Sequence, residues 1–361
     1  KAWDGGGGGG GSGEPNACGT GTRVLVIGTV GSSFALCIIM SLMTLCAIAV
    51  RQPATPVTIA QIESDGMKWV RSKDGSRLIE YTTCGDVHGQ PVYTQHSFGN
   101  TARQLTSPYM CKIYKKLGLR AISVTMPGFG LSDSYPLGEA RSLNDWPDDV
   151  NQVLQAENIG HFYVMGVSAG GIHAAAVASA FPLRVLGATF VVPTAPKEVE
   201  DQIDSIADGT RFFKWILGMQ YAGDLAAYII KGISPKNLLP VGAPDVHKGL
   251  QRIRAEYPEI ENEFVDDQNR GVKHTYRGWT DTVELLQAPP PFSMKTIGKI
   301  VEAGRKVIVT TAPDDTTNPP EMQEWFAGQI PGAQLLRFDP GYGHASFMMP
   351  DVYEKAFAAM K

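Results

Sequence analysis

The chain has 361 residues, 43% of them hydrophobic, which is enough apolar material for one large domain or two small ones with a real core. Its 32 basic and 36 acidic residues give a net charge of -4 and are mixed along the sequence. This excludes the basic face that a nucleic-acid-binding protein needs. The five cysteines show neither a disulfide framework nor zinc-ligand spacing, so the sequence predicts no metal site.

The N-terminal part of the chain differs in composition from the rest. Residues 1–23 include a run of glycines and are predicted to be a disordered tail. Residues 24–50 carry no charge, and as a helix they would extend about 40 Å, more than the roughly 30 Å hydrocarbon core of a bilayer. A signal peptide has a shorter apolar region, and a buried helix is seldom apolar on every face. The segment is therefore predicted to be a single transmembrane helix.

This predicted anchor makes the chain a single-pass membrane protein. Basic residues are nearly balanced on its two flanks, so they leave its orientation open. The sequence contains no Asn-x-Ser/Thr glycosylation site, which favours a catalytic domain on the cytosolic side. Residues 51–65 are predicted to be a linker, because two prolines interrupt any regular element there.

Strands and helices alternate in the predicted domain, residues 66–361. It starts with a hairpin around Asp74 and Gly75, a favoured turn pair, and continues with short apolar strands between helices. The pattern turns purely helical over about 197–300 and then resumes. About eight such strands predict an α/β fold with a mostly parallel sheet, helices on both faces and a helical lid insertion.

The clearest motif in this domain is Gly-Val-Ser-Ala-Gly at residues 166–170. With 40 glycines in the chain, this spacing alone is weak evidence. Here, however, Gly166 and Gly170 flank Ser168 between a predicted strand and a predicted helix, which is the context of a nucleophile elbow. The sequence therefore predicts Ser168 as a nucleophile. The alternative is a tight turn without chemistry.

A serine nucleophile needs a base, and the base needs a carboxylate that fixes its tautomer. His344 follows the last predicted strand and is the predicted base. Four other histidines lack that position: His161, His173, His247 and His274. Asp314 and Asp315 follow an earlier strand, and only one of them can face the base. Both could instead cap the next helix.

Several motifs resemble the α/β-hydrolase fold superfamily, in its serine-nucleophile branch with a helical lid. They are QHSFGNTAR for the His-Gly loop, MPGFGLSD for the loop after strand four, GVSAGG for the elbow, PPFSM for the lid exit, APDDTTNPP for the acid loop and GYGHASF for the histidine loop. The resemblance covers most of the chain after residue 66. Its acid-loop pattern selects Asp315.

The resemblance also implies an oxyanion hole. The backbone N–H groups of Ala169 and Phe98 would form it, because a tetrahedral intermediate concentrates negative charge on one oxygen. The sequence departs from the family pattern at Ser97, where a glycine usually follows His96. A Cβ at that position restricts the backbone.

A serine nucleophile disfavours the epoxide hydrolase and dehalogenase branches, so acyl chemistry remains. The expected function is that of a membrane-anchored, carboxylesterase- or lipase-like serine hydrolase, without metal or cofactor, acting on a small-molecule ester that could be lipophilic. Lid side chains could line an acyl pocket, namely Phe212, Phe213, Trp215, Ile216, Tyr221 and Tyr228. One alternative is a non-catalytic ligand-binding or receptor protein on the same fold. Another is a carbon–carbon bond hydrolase or cofactor-free peroxidase.

Overall fold

The computed structural model describes residues 55–136, 142–219, 222–254 and 257–361, together with residues 37, 38, 41, 42 and 45. The chain divides into two units, Lys1–Cys46 and Ala47–Lys361. The predicted tail and most of the predicted transmembrane segment lie outside the described residues.

The prediction of a single-pass membrane protein is corrected by the structure. A helix needs about 20 consecutive apolar residues to cross a bilayer. In the described parts of the chain no helix is both long enough and apolar enough. The longest one there, Pro258–Gly271, has 14 residues, and its sequence includes several charged side chains.

The domain is built on one eight-stranded sheet, as the sequence predicts. The strands are β1 Lys68–Arg71, β2 Leu78–Gly85, β3 Gln90–Gln95, β4 Leu119–Val124, β5 Phe162–Val167, β6 Val185–Val191, β7 Val307–Thr311 and β8 Gln334–Arg337. Their order is β1-β2-β4-β3-β5-β6-β7-β8. β2 is antiparallel to β1 and β4, and all other neighbours are parallel.

Helices cover both faces of this sheet. Those that pack around it are α1 Ile59–Ser64, α2 Pro108–Lys116, α3 Trp146–Ala156, α4 Gly170–Ala180, α12 Gly298–Glu302, α13 Pro320–Gly328 and α14 Pro350–Met360. Adjacent residues of a strand face opposite sides, so Tyr93 and Val92 belong to two different apolar clusters. Burial of each large apolar side chain in these clusters contributes roughly 1.5–3 kcal/mol.

The lid contains more and shorter helices than the sequence predicts. Its helices are α5 Lys197–Glu200, α6 Asp208–Leu217, α7 Ala222–Ile230, α8 Pro235–Gly242, α9 Pro244–Ile253, α10 Pro258–Gly271 and α11 Arg277–Leu285. Prolines stand at the first position of α8, α9 and α10. Because a proline fits the first position of a helix and disfavours helical geometry in the residue before it, each of these prolines marks the start of a new helix.

Part of the predicted linker, 51–65, is folded. Thr58 caps α1, and Ile62 on that helix is fully buried beside Met67 and Leu78. Val57 joins the same cluster, and its N–H donates to Asp133 at 3.1 Å. Packed structure therefore begins before residue 66.

The lid is tied to the sheet by a buried ion pair. Arg270 on α10 donates from Nη1 and Nη2 to the two carboxylate oxygens of Glu80 on β2, at 2.7 and 2.6 Å. Its Nε donates to Asp65 at 2.7 Å. The Glu80 side chain is fully buried, so removal of the arginine would leave a carboxylate without its charge partner in the interior.

The sequence showed no disulfide, but the structure joins Cys84 at the end of β2 to Cys111 on α2. Their Cα atoms lie 5.4 Å apart, within the range for a disulfide. Such bonds are typical of oxidising compartments, so this pair also argues against the expected cytosolic side.

Candidate active site

Ser168 lies directly after β5, at the carboxyl edge of the parallel strands. Its φ is +52°, in the left-handed region that non-glycine residues rarely occupy. Its N–H donates to the carbonyl of Val191 on β6 at 2.9 Å, which holds the strained turn in place. The serine is 7% exposed and stands at the start of α4.

The two glycines beside Ser168 are required by close packing. A Cβ on Gly166 would lie 2.5 Å from the Cβ of Ala174 and 2.6 Å from the carbonyl of Gly170. A Cβ on Gly170 would lie 2.3 Å from the carbonyl of His96. All three distances are too short for real side chains, so the turn needs glycine at both positions.

The structure brings Ser168, His344 and Asp315 together in one chain of hydrogen bonds. Ser168 Oγ is 2.8 Å from Nε2 of His344, and Nδ1 of the same ring is 2.8 Å from Oδ2 of Asp315. An ionised carboxylate only accepts, so the proton of a neutral imidazole lies on Nδ1. Nε2 is then free to accept the proton of the serine hydroxyl.

The Asp315 carboxylate is buried and held by further donors. Oδ1 accepts from the N–H groups of Thr317 at 3.0 Å and Asn318 at 2.7 Å, and Oδ2 also accepts from Gln323 Nε2 at 3.1 Å. Burial raises the pKa of Asp315, and the hydrogen bonds and charge of His344 oppose that rise. These contacts fix the carboxylate towards the ring.

Asp314 has a different position from its neighbour. Its carboxylate accepts from the N–H of Gly341 at 2.8 Å and from that of Gly343 at 3.0 Å, on the loop that carries His344. No side chain caps α13 at Pro319. The structure therefore places Asp315 against the histidine and Asp314 against the histidine loop, and neither one caps the helix.

The two residues predicted to form an oxyanion hole, Ala169 and Phe98, both line the cavity that contains Ser168. Neither N–H donates to any group among the described residues. The N–H of Ala169 lies at the start of α4, where the helix dipole favours negative charge. Both residues therefore stay candidates for the predicted oxyanion hole.

Ser97 departs from the family pattern but fits its loop. Its φ is not positive, so the backbone does not need glycine there. Its N–H donates to Gln104 Oε1 at 2.7 Å, and its Oγ accepts from Gln104 Nε2 at 2.8 Å and donates to Asn100 at 3.2 Å. His96 adds a contact from Nδ1 to the Ser97 carbonyl at 2.8 Å. The serine side chain is part of what orders this loop.

Asp245 on lid helix α9 contacts the acid loop. Its carboxylate accepts from the N–H groups of Thr316 at 2.7 Å and Thr317 at 3.0 Å, and from the Thr317 hydroxyl at 2.7 Å. Burial favours the neutral form of the Asp245 carboxyl. The charge of His344 and the hydrogen bond from Thr317 outweigh this effect, so the pKa of Asp245 is lowered. A lid carboxylate therefore holds the loop that carries Asp315.

A cavity of about 710 Å³ lies above Ser168 and under the lid. Its polar end contains Ser168, His344, Asn318 and Thr317, and most of the remaining wall is apolar. Three rings pack together in that wall: Phe98, Phe213 and Trp279 have centroids 6.0 to 6.4 Å apart. The volume lies within the usual range for sites that bind a drug-sized molecule.

The predicted pocket residues divide into several groups. Phe212, Phe213 and Trp215 line the cavity. Ile216 packs in an apolar cluster of the lid, and Tyr228 is 46% exposed. Tyr221 lies outside the described residues.

Four of the charged side chains in the cavity wall form two ion pairs. Lys214 contacts Glu200 at 2.9 Å, and Lys197 contacts Asp201 at 2.5 Å. Arg211 donates to the carbonyl of Ile203. The two ion pairs carry no net charge, and the guanidinium of Arg211 adds a positive charge to the wall.

Three of the four other candidate histidines have structural partners. His173 on α4 contacts the Ala169 carbonyl at 3.1 Å, His247 contacts Gln251 at 2.9 Å, and His274 contacts the Thr55 carbonyl at 2.6 Å. His161 is exposed. In the described part of the chain no cluster of three or more His, Cys, Asp or Glu is arranged to hold a metal ion. The predictions of no metal and no cofactor stay predictions.

Sequence reasoning missed several polar residues around the site. Asp245 and Asp267 come from the lid, where the helical periodicity of the sequence does not indicate their role. Asn318 and Gln323 follow the acid loop, and its motif could have pointed to them. Asn318 Nδ2 lies 3.5 Å from Ser168 Oγ and donates to the Val192 carbonyl at 3.1 Å.

Comparisons with known proteins agree with this architecture. A family model described as alpha/beta hydrolase fold matches residues 91–350, well over half of the chain. No curated protein sequence matches. Among solved structures, an esterase from Rhodococcus sp. ECU1013 is 15% identical with a TM-score of 0.57, and the alignment covers 82% of this chain and 99% of that one.

Two further solved structures are similar. One, from work on carboxylesterases of Nitrososphaera gargenis, is 17% identical with a TM-score of 0.56 and covers 81% of this chain and 97% of that one. The enol-lactonase from Burkholderia xenovorans LB400 is 15% identical with a TM-score of 0.53, and the alignment covers 81% of this chain and 98% of that one. At these identities the likeness concerns the fold.

Proposed function

Because the chain belongs to the α/β-hydrolase fold family, we propose that it is a serine hydrolase that cleaves a carboxylic ester through an acyl-enzyme on Ser168. One observation carries this proposal: a strained, buried serine stands 2.8 Å from an imidazole nitrogen whose other nitrogen contacts a buried carboxylate. A hydroxyl is a poor nucleophile by itself, and this arrangement activates it.

In the acylation step, Ser168 Oγ attacks the ester carbonyl carbon while His344 Nε2 takes the hydroxyl proton. The carbonyl π-electrons move to oxygen, and the N–H groups of Ala169 and Phe98 face that oxyanion. Loss of one such donor typically costs about 3–4 kcal/mol of transition-state stabilisation. Collapse of the intermediate expels the alcohol, which takes the proton from His344.

In the second step, water releases the acyl group. His344 removes a proton from the water as its oxygen attacks the acyl carbon, and Ser168 leaves with that proton. Asp315 stays ionised and stabilises the imidazolium in both steps. The products are a carboxylic acid and an alcohol, and the enzyme returns to its starting state.

The cavity supports a bulky, uncharged and largely apolar ester as the substrate. A small ester would fill little of the 710 Å³. An anionic substrate would have to compete for lysines that already contact carboxylates. Four of the similar solved structures are described as esterases or carboxylesterases, and another as an enol-lactonase, so their printed activities also concern ester bonds.

The ligand-binding alternative rested on Ser97, whose side chain was expected to disturb the oxyanion loop. Its hydrogen bonds with Gln104 and Asn100 instead support an ordered loop. We therefore propose the enzyme rather than the binding protein.

Labelling with a fluorophosphonate probe tests this proposal directly. We expect the wild type to be labelled and Ser168→Ala to be unlabelled. Ser179→Ala is the matched control, since Ser179 lies on α4 but bonds to the Ser293 carbonyl, away from His344. Turnover of p-nitrophenyl esters of increasing chain length should rise from acetate to longer acyl groups. A folded wild type that is neither labelled nor active would refute the enzyme.

A further inference from the structure

One carboxylate of the lid reaches the loop that carries Phe98. Asp267 on α10 is 5% exposed. Its Oδ2 accepts from the N–H of Thr101 at 2.8 Å and from Nδ2 of Asn100 at 3.1 Å, and its Oδ1 accepts from the Thr101 hydroxyl. Three hydrogen bonds from two consecutive residues thus converge on one lid side chain.

The same loop is held from its other end by the sheet side of the domain. Gln104 receives the N–H of Ser97, and Ser97 Oγ donates to Asn100 Oδ1. Asn100 therefore joins the two ends, because its oxygen faces Ser97 and its Nδ2 faces Asp267. Phe98 lies inside this closed set of contacts.

The lid also approaches this loop too closely for the loop to shift towards it. A Cβ on Gly271, at the end of α10, would lie 2.2 Å from the carbonyl of Gly99. The Phe98 ring packs on the lid rings of Phe213 and Trp279. The loop can therefore shift mainly away from the lid, and its hydrogen bonds to Asp267 oppose that shift.

We propose that Asp267 is a positioning residue of the lid: it holds the 97–101 loop so that the backbone N–H of Phe98 faces the oxyanion of the reaction. This inference rests on the proposed function. Oxyanion stabilisation depends on a donor placed 2.7–3.1 Å from the oxygen of the intermediate, so a small shift of the loop lowers the rate of the chemical step. Substrate binding in the apolar cavity depends much less on that shift.

The contacts predict which substitution preserves the function. Asparagine at this position keeps one oxygen for the Thr101 N–H and Asn100, and its amide can donate to the Thr101 hydroxyl oxygen. Burial raises the pKa of Asp267, and its hydrogen bonds with Thr101 oppose the rise. Alanine removes all three acceptor contacts.

The experiment compares Asp267→Ala, Asp267→Asn and the matched control Asp266→Ala, in which the neighbouring carboxylate is exposed. We expect Asp267→Ala to lower kcat about 30-fold with KM within threefold, Asp267→Asn to restore most of kcat, and Asp266→Ala to match the wild type. A trifluoromethyl ketone with the acyl chain of the best ester supplies a second readout. Its hemiketal oxyanion would occupy the hole, so Asp267→Ala should weaken its inhibition about tenfold.

A variant on the loop side covers the case in which Asp267→Ala does not fold. Asn100→Ala removes the link between Ser97 and Asp267 but leaves the two hydrogen bonds from Thr101. Its kcat should therefore fall by less than that of Asp267→Ala, and the double variant should be hardly worse than Asp267→Ala. The proposal would be overturned if Asp267→Ala and Asp266→Ala had equal effects on kcat, or if Asp267→Ala raised KM without lowering kcat. Wild-type turnover and the Ser168→Ala control report separately on the proposed hydrolase.

Discussion

The sheet and the lid both reach the candidate active site, but in different ways. The sheet supplies Ser168, Asp315 and His344 on loops that directly follow β5, β7 and β8. The lid supplies Asp245 and Asp267, which contact backbone groups of two of the surrounding loops. Residues of the proposed chemistry thus come from the sheet, while residues that hold its loops come from the insertion.

This difference suggests a division of work. Changes on the sheet side should remove the reaction itself, and changes on the lid side should alter its efficiency or the stability of the domain. The following predictions test that division.

The largest effect should come from Asp315→Asn. An asparagine cannot hold the His344 tautomer that leaves Nε2 free, so kcat should fall about 10⁴-fold. Asp314→Asn should cost about tenfold or less, because the hydrogen bonds that Asp314 accepts within the described part of the chain come from the Gly341 and Gly343 N–H groups and not from His344. Steady-state kinetics on one ester measure both. Equal losses would mean that the two aspartates share the role assigned to Asp315.

Arg270→Met should cause the next largest loss, in stability. It leaves Glu80 buried without its cation, which should lower the free energy of unfolding by about 3–5 kcal/mol. The exposed pair Arg337 and Glu324 is the control. Arg337→Met should change the free energy of unfolding by at most about 1 kcal/mol. Urea unfolding measures both. If the two variants were equal, the lid would not depend on this buried tie to the sheet.

Asp245→Ala should lower kcat about tenfold, because the acid loop loses three hydrogen bonds. Asp208→Ala, an exposed lid carboxylate, should have no effect and serves as the control. An effect of Asp245→Ala on KM alone would show that this residue serves the cavity and not the acid loop.

The same variant predicts a pH dependence of stability. The pKa of Asp245 is lowered in the folded state, so its carboxylate stabilises the fold above the usual carboxyl pKa, and this contribution is lost as the pH falls through the lowered value. The difference in unfolding free energy between wild type and Asp245→Ala should therefore shrink from pH 7 towards pH 3. Thermal or urea unfolding across that range checks the sign, and a difference that grows at low pH would contradict it.

Ser97→Gly should have the smallest effect, with kcat/KM within about threefold of the wild type. The backbone of Ser97 does not need glycine, and its N–H keeps the bond to Gln104. The variant loses only side-chain hydrogen bonds of about 1 kcal/mol each. A large gain in activity with glycine would show that the serine impairs the oxyanion loop. Ester kinetics decide this.

Much of the fold could be predicted from the sequence alone. Eight short apolar strands separated by helices predicted the sheet, and the structure contains all eight. The lid helices were predicted less well, because Pro258 divides a segment whose apolar pattern looks continuous. The apolar segment 24–50 was interpreted from hydropathy alone as a membrane span, and the structure does not support that interpretation.

Chain order determined which residues were candidates for the site, since loops that follow parallel strands meet at the same edge of a sheet. This is why Ser168, the Asp314–Asp315 pair and His344 could be singled out without coordinates. The acid-loop resemblance favoured Asp315, and the tertiary structure shows how the pair divides: adjacent side chains point in different directions, and just one of them reaches the ring. The tertiary structure alone located Asp245, Asp267 and the disulfide between Cys84 and Cys111, since those contacts join segments far apart in sequence and leave no local pattern.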